Sequence, residues 1–255
     1  GRDTIGDTPM SFLDEILAQP GFSPSQLAVG AVMYLAWTAA YVHIIWKGFK
    51  DKSYGVPWSS MMLNVCWEAI FSFNLTDARL FWFFVWGNRL WLLFDVAIVY
   101  QFFKYGREVQ TIPWLKQWFH PVAVASLVLS GVGLYTFTLY FNDLKGVASS
   151  MTMNVVMGVM YIFMFVNRPD GRGMSYPAAW LKMIGTAAGS VFLYTWWPAQ
   201  FENGHLITHP TVQEPTTYGF MYFVYVANFL IDCTYIFMNV RRRRAAALTP
   251  SAGAA

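Results

Sequence analysis

The sequence predicts an all-α, polytopic membrane protein with seven transmembrane helices, and three observations predict it. Hydrophobic residues make up 56% of the 255-residue chain and charged residues only 12%, about half the charge of an ordinary soluble domain. Apolar runs long enough to span roughly 30 Å of hydrocarbon, at about 20 residues each, recur seven times. The Lys and Arg residues alternate between the connections as membrane topology demands. Aromatic residues reach 19%, with 12 Trp, which suits both membrane interfaces and a pocket walled by π faces.

The elements follow in order. Residues 1–25 contain no basic segment leading into an apolar core, so no cleavable signal peptide is expected. Thr8-Pro9 reads as an N-cap followed by Pro at the first helical position. Met10, Leu13, Ile16 and Leu17 then share one face against Ser11, Asp14 and Glu15, predicting a short helix lying on the membrane surface. The seven spans fall near 26–46, 57–74, 82–103, 119–140, 147–166, 176–197 and 218–240. Their length and lack of period-2 alternation make them helices rather than strands. Turn-forming residues mark the breaks, among them Gly55 and Pro57, Gly106 to Pro113, Asn167 to Gly173 and Pro198 to Pro215. No soluble domain fits in the remainder. One membrane domain, 1–255, is expected, with an interfacial segment at 1–25, the bundle at 26–240 and a basic, then disordered, tail at 241–255.

Charge tests the count. Lys47, Lys50, Lys52, Lys104, Arg107, Lys116, Arg168, Arg172 and Arg241 to Arg244 fall on one side, twelve against Arg2, Arg79 and Lys145 on the other. A miscounted helix would scramble this alternation. The C-terminus is therefore expected in the cytoplasm and the N-terminus outside or in the lumen. The four Arg read first as a topology anchor and a contact for anionic lipid. Cys66 and Cys233 lie in apolar runs with no ligand or disulfide spacing and read as packing residues. His43 and His120 lie near span ends, and His205 and His209 in an outer connection.

Charged side chains inside a bilayer cost on the order of 2.5–3.5 kcal/mol each and are functional candidates by default. Five occur: Glu68 in span 2, Arg89 and Asp95 in span 3, Lys182 in span 6 and Asp232 in span 7. At about 1.5 Å per residue from the basic side, Glu68 lies roughly 16 Å deep and Asp95 and Asp232 roughly 12 Å. Lys182 comes out at roughly 9 Å and Arg89 at roughly 21 Å. One polar cavity shared by the three acids explains this clustering. Asn64 stands four residues before Glu68, Trp91 four before Asp95, and Asn228 four before Asp232, with Tyr235 three after it. Apolar and aromatic walls favour the protonated form of a carboxyl, which a general acid needs at neutral pH. Asp95 with Lys182, or Asp95 with Arg89, reads equally as a structural ion pair, and Asn154 in span 5 as an interhelical hydrogen-bond donor.

The motifs Asn64-Val65-Cys66-Trp67-Glu68 and Asn228-Phe229-Leu230-Ile231-Asp232 sit in the second and the seventh of the expected spans. Trp91 to Asp95 and Lys182 to Thr186 add to them. The chain resembles the integral-membrane terpene cyclases of fungal meroterpenoid and indole-diterpene pathways, such as paxilline and pyripyropene biosynthesis, which have bacterial relatives. The resemblance runs from about residue 25 to 240. It implies protonation of an epoxide or alkene on a polyprenyl chain, followed by carbocation cyclisation without metal or cofactor. It places the family's two essential acids on Glu68 and Asp232, one as proton donor and the other as its hydrogen-bonded partner. Asn64, Trp67, Arg89, Trp91, Asp95, Asn154, Lys182, Asn228 and Tyr235 become candidate substrate-binding residues, with the aromatic faces of Trp67, Trp91 and Tyr235 available for cation–π contact. No carboxylate cluster suited to Mg²⁺ and a diphosphate occurs in the sequence. The partners implied are a lipophilic, epoxidised prenyl substrate, the bilayer and an upstream epoxidase, with no nucleic acid. The membrane would be the endoplasmic reticulum in a fungus and the plasma membrane in a bacterium.

Two other readings use the same features. A retinal-binding seven-helix protein needs a Schiff-base Lys in the last span, and span 7 has none. A proton-coupled transporter would use the intramembrane acids as a relay, but the internal repeats and broken helices expected of one are not evident.

Overall fold

The computed structural model describes residues 22–76, 82–196 and 218–248. Every regular element among them is helical, eight helices in all. Helix α1 (Pro24–Lys50) begins in a capping box, in which Ser23 Oγ accepts from Gln26 N at 3.2 Å and Gln26 Oε1 accepts from Ser23 N at 2.8 Å. Helices α2 (Trp58–Ser72), α3 (Trp82–Val109), a short α4 (Pro113–Gln117) and α5 (Phe119–Tyr140) follow. The set closes with α6 (Val147–Asn167), α7 (Tyr176–Trp196) and α8 (Tyr218–Leu248). The expected surface helix around Met10, Arg79, the connection with His205 and His209, and the tail after Leu248 lie outside the described residues.

Two boundaries differ from the sequence expectation for physical reasons. Gly106 reads as a break, yet α3 runs through it to Val109. A Cβ there would lie 2.6 Å from Phe119 Cζ, so the glycine is a close-packing position under the Phe119 ring and not a turn. Helix α8 extends through Arg241 to Arg244 and the alanines beyond, all strong helix formers.

Among the described residues five helices are long and apolar enough to cross a membrane: α1, α3, α5, α6 and residues Phe220–Ala245 of α8. The sequence expectation was seven. Helix α2 has 15 residues, about 22 Å at 1.5 Å per residue, and α7 is diluted by Lys182, Thr186 and Ser190. Packing arranges six helices in a ring in the order α1, α7, α8, α6, α2, α3, with α5 outside against α2 and α3. Leu35, Leu93, Leu129 and Phe223 are among the large apolar side chains exposed on the outer surface.

One end of the bundle is basic and internally tied. Asp51 caps α1, pairs with Lys47 at 2.8 Å and accepts from Gly173 N at 2.8 Å across to the α6–α7 connection. Burial opposes its ionisation, but the Lys47 ammonium and the Gly173 N–H more than offset it, and the carboxyl is held below its usual range. Arg168 donates to Tyr54 O at 2.8 Å, and Arg242 donates to Arg168 O and Phe165 O. Arg242 is thus built into the bundle, where the sequence suggested first a topology anchor and a contact for anionic lipid. At the opposite end, buried Asp143 accepts from Ala148 N and Ser149 N and caps α6. Burial pushes its carboxyl above the usual range, with those N–H groups opposing the shift.

Candidate active site

Helix periodicity turns three polar or aromatic stripes toward the middle of the ring. On α1 these are Tyr34, Trp37 and Tyr41; on α2, Asn64, Trp67 and Glu68; on α3, Asn88 and Trp91. With Asn154 of α6 and Gly185, Thr186 and Gly189 of α7 they line a cavity of about 150 Å³. A single water needs only some 10–15 Å³ of such space, so the cavity admits part of an organic molecule. Its lining reaches the end opposite the basic one, at Lys145, Gly146 and Val147. Gly146 has φ +71° and a Cβ there would lie 2.5 Å from the Phe71 ring, so glycine lets α6 begin directly against the Trp67–Phe71 stack.

Glu68 is 3% exposed, and its Oε2 is buried with no hydrogen-bond partner. One turn toward the basic end, Asn64 donates to Tyr41 Oη at 2.7 Å and to Asp95 Oδ2 at 2.8 Å. Asp95 is thereby held in a hydrogen-bonded network, while Glu68 is left to the cavity. The aromatic walls are themselves fixed. Trp91 stacks on Tyr34 at 4.7 Å and donates to Thr38 Oγ1, and Trp67 donates to Ser149 Oγ at 3.0 Å.

A second buried charge group lies deeper, between α7 and α8. Lys182 Nζ contacts both carboxylate oxygens of Asp232, at 2.7 and 3.0 Å, and both residues are under 5% exposed. The Lys182 ammonium also lies 5.8 Å from the centre of the Trp37 ring, whose residue lines the cavity.

These contacts correct three pairings suggested by the sequence. Asp95 pairs with neither Lys182 nor Arg89, because Asn64 reaches it on one side and Lys182 belongs to Asp232. Arg89 instead donates to Ser72 O at 3.2 Å and lies over the Trp86 ring. Asp232 is hydrogen-bonded to Lys182 and not to Glu68, whose Oε2 has no partner. The three acids therefore do not share one cavity: of Glu68, Asp95 and Asp232, only Glu68 is among its lining residues. Asn64, Trp67, Trp91 and Asn154 line it as well, whereas Arg89, Lys182, Asn228 and Tyr235 do not. Tyr235 packs against Tyr161 and Phe165. The residues that sequence reasoning missed are Tyr34, Trp37, Tyr41, Asn88 and Thr186. Tyr34, Trp37 and Tyr41 form an i, i+3, i+7 stripe, Asn88 continues the face of Trp91 and Asp95, and Thr186 lies one turn from Lys182; these spacings were the available signal. Among the described residues no three of His, Cys, Asp and Glu converge as a ligand set for a metal ion.

Comparison with known proteins places this architecture. Residues 20–245 match the family described as Pyr4-like transmembrane terpene cyclases. A Pyr4-family terpene cyclase of Annulohypoxylon moriforme, mfmH, is 25% identical over 246 residues, covering 90% of this chain and 92% of its own. The terpene cyclase ascF of Acremonium egyptiacum is 26% identical, covering 72% of this chain and 73% of its own. For the terpene cyclase pyr4 of Aspergillus fumigatus the identity is 24%, with 82% and 83% covered. No solved structure matches the chain.

Proposed function

The chain belongs to the Pyr4-like transmembrane terpene cyclases, and from that premise we propose that it starts cyclisation by protonation, with Glu68 as the acid. One observation carries this reading: an unpartnered, buried carboxyl in the wall of an aromatic cavity. A carboxyl in such surroundings is least costly in its neutral, protonated form, which is the form that donates.

In the proposed step Glu68 gives its proton to the oxygen of an epoxide on a prenyl chain. The C–O bond at the more substituted carbon breaks, leaving a hydroxyl and a tertiary cation. A nearby alkene supplies the electron pair for the new C–C bond and carries the charge onward. Loss of a proton from the last cation ends the sequence and balances the one supplied, so the product is an isomer of the substrate. The faces of Tyr34, Trp37, Trp67 and Trp91 can steady the passing charge, each by up to about 2 kcal/mol when desolvated. No step in this scheme calls on a metal or cofactor. Asp232 acts at one remove: paired with Lys182, it fixes α7 and α8 around the cavity.

The membrane reading extends in the same way. The alternating basic residues support seven crossings within a single domain, 1–255, with the basic end in the cytoplasm. Helices α2 and α7 complete the set because their costly residues, Glu68 and Lys182, are buried inside the ring. An epoxide substrate implies an epoxidase acting before this enzyme, and a lipophilic chain can enter from the bilayer, in the endoplasmic reticulum or the plasma membrane according to the host.

The test is direct. Detergent-purified protein is given epoxidised farnesyl or geranylgeranyl substrates in chelator, and the products are analysed by mass and NMR. A cyclic isomer of the substrate is expected; intact substrate across the panel rejects the protonation reading.

A further inference from the structure

Three side chains at one level of the bundle each leave a polar atom without a partner: Asn154 Oδ1, Asn228 Oδ1 and Thr186 Oγ1. Their level follows from helical spacing. Asn228 precedes Asp232 by one turn of α8, and Thr186 follows Lys182 by one turn of α7. Asn154 precedes Gly158 by one turn of α6, and a Cβ at Gly158 would lie 3.6 Å from Asp232 Oδ1. All three thus stand one turn from the Lys182–Asp232 pair, on the side away from the basic end. They form a polar collar on α6, α8 and α7, which are consecutive in the ring, and Asn154 and Thr186 line the cavity.

The chemistry of the collar is set by what its members already do. Asn154 Nδ2 donates to Ser150 O, and Asn228 Nδ2 donates to Met151 O and Val224 O. Both amides therefore present a carbonyl oxygen, which can only accept. Thr186 differs from several other helical hydroxyls. Ser190, Thr195, Thr136 and Thr234 each donate to the backbone carbonyl four residues earlier, and Thr186 does not. Buried acceptors beside a free hydroxyl call for a ligand group that donates a hydrogen bond. The protonation step engages only Glu68 and leaves this collar unused.

We infer that the collar binds a hydroxyl group of the prenyl substrate, at a point separate from the epoxide, and selects hydroxylated substrates over their ethers. The inference rests on the cyclase reading above. Asn154 Oδ1 accepts the hydroxyl proton, which an ether lacks, whereas the Thr186 hydroxyl can donate to the oxygen of either.

The experiment uses the full chain in membranes with a matched pair, epoxidised farnesol and its O-methyl ether. Wild-type kcat/KM for the alcohol is expected to exceed that for the ether by about tenfold or more. Asn154→Leu brings that ratio near one. Thr186→Val lowers kcat/KM for both substrates alike, and Thr186→Ser, which keeps the hydroxyl, restores it. A wild-type ratio near one, or a ratio unchanged in Asn154→Leu, overturns the inference while the cyclase reading stands. Cyclisation of neither substrate, nor of any in the farnesyl and geranylgeranyl panel, overturns the protonation reading instead. Should Asn154→Leu fail to fold, the wild-type ratio and the Thr186 pair decide the matter.

Discussion

Glu68 and Asp232 are both acids buried in a bundle of apolar helices, yet their surroundings differ in kind. Glu68 lines a cavity and has a carboxylate oxygen with no partner. Asp232 lies outside the cavity lining, and both its oxygens contact Lys182. The difference teaches what each can do. A group with no partner is free to interact with whatever enters the cavity, while a group held by an ammonium contributes mainly through the geometry it fixes. Losing the first should cost chemistry and spare the fold. Losing either half of the second should cost the fold and, through it, the chemistry.

The largest expected effect breaks the comparison if it is absent. Glu68→Gln keeps the shape of the side chain and removes the acid, so turnover should fall by about 10²–10⁴-fold. The thermal midpoint in detergent should stay near that of the wild type, since no hydrogen bond of Glu68 is lost. Measuring product formation and thermal unfolding on the same preparation checks both halves. Near-wild-type turnover removes Glu68 from the donor role.

The next effect sharpens the other side. Lys182→Met leaves the Asp232 carboxylate buried and uncompensated, which typically costs about 3–5 kcal/mol. Asp232→Leu strands the ammonium in the same way and should lower both stability and turnover. The double variant Lys182→Met/Asp232→Leu replaces the pair by apolar groups and should recover most of the stability. Denaturation curves of the four proteins give the coupling. Additive losses would mean that the pair is not the unit the structure shows.

How much of this was legible beforehand depends on the kind of feature. Helices were readable because a bilayer imposes both length and composition on every span, and α5 falls where the apolar run predicts, at 119–140. Glu68 was readable because a charge in an apolar run has an intrinsic cost. The partner of Asp232 was not, because Lys182 lies 50 residues away and the choice between Asp95 and Asp232 depends on the order of helices in the ring. Depth along each span put all three acids near one level but held no information about direction around the helix bundle. Thr186 and Tyr34 were missed for another reason. Threonine and tyrosine are common in membrane helices, so their helical spacing was a weak signal that the cavity made specific.

The smallest effects concern two carboxyls outside the spans, which repeat the contrast at opposite ends of the bundle. Asp51 is held below its ordinary value of 3.8 by Lys47 and Gly173 despite its burial. Its contribution to stability is therefore present above that value and is lost as pH falls through the folded-state value. Asp143 is shifted the other way, chiefly by burial, so the folded protein binds its proton more tightly than the unfolded chain does. Its contribution is full at low pH and declines as pH rises from 3.8 through the folded-state value. Asp51→Asn should then cost about 1 kcal/mol at neutral pH and flatten the acid limb of the stability profile. Asp143→Asn removes the burial cost of a charge but weakens acceptance from Ala148 and Ser149, so its neutral-pH effect should stay below about 1 kcal/mol. What it should change is the decline with rising pH, which disappears. Unfolding midpoints from pH 3 to 8 for the wild type and both variants would separate the two signs. A shared sign would show that the capping hydrogen bonds of Asp143 outweigh its burial.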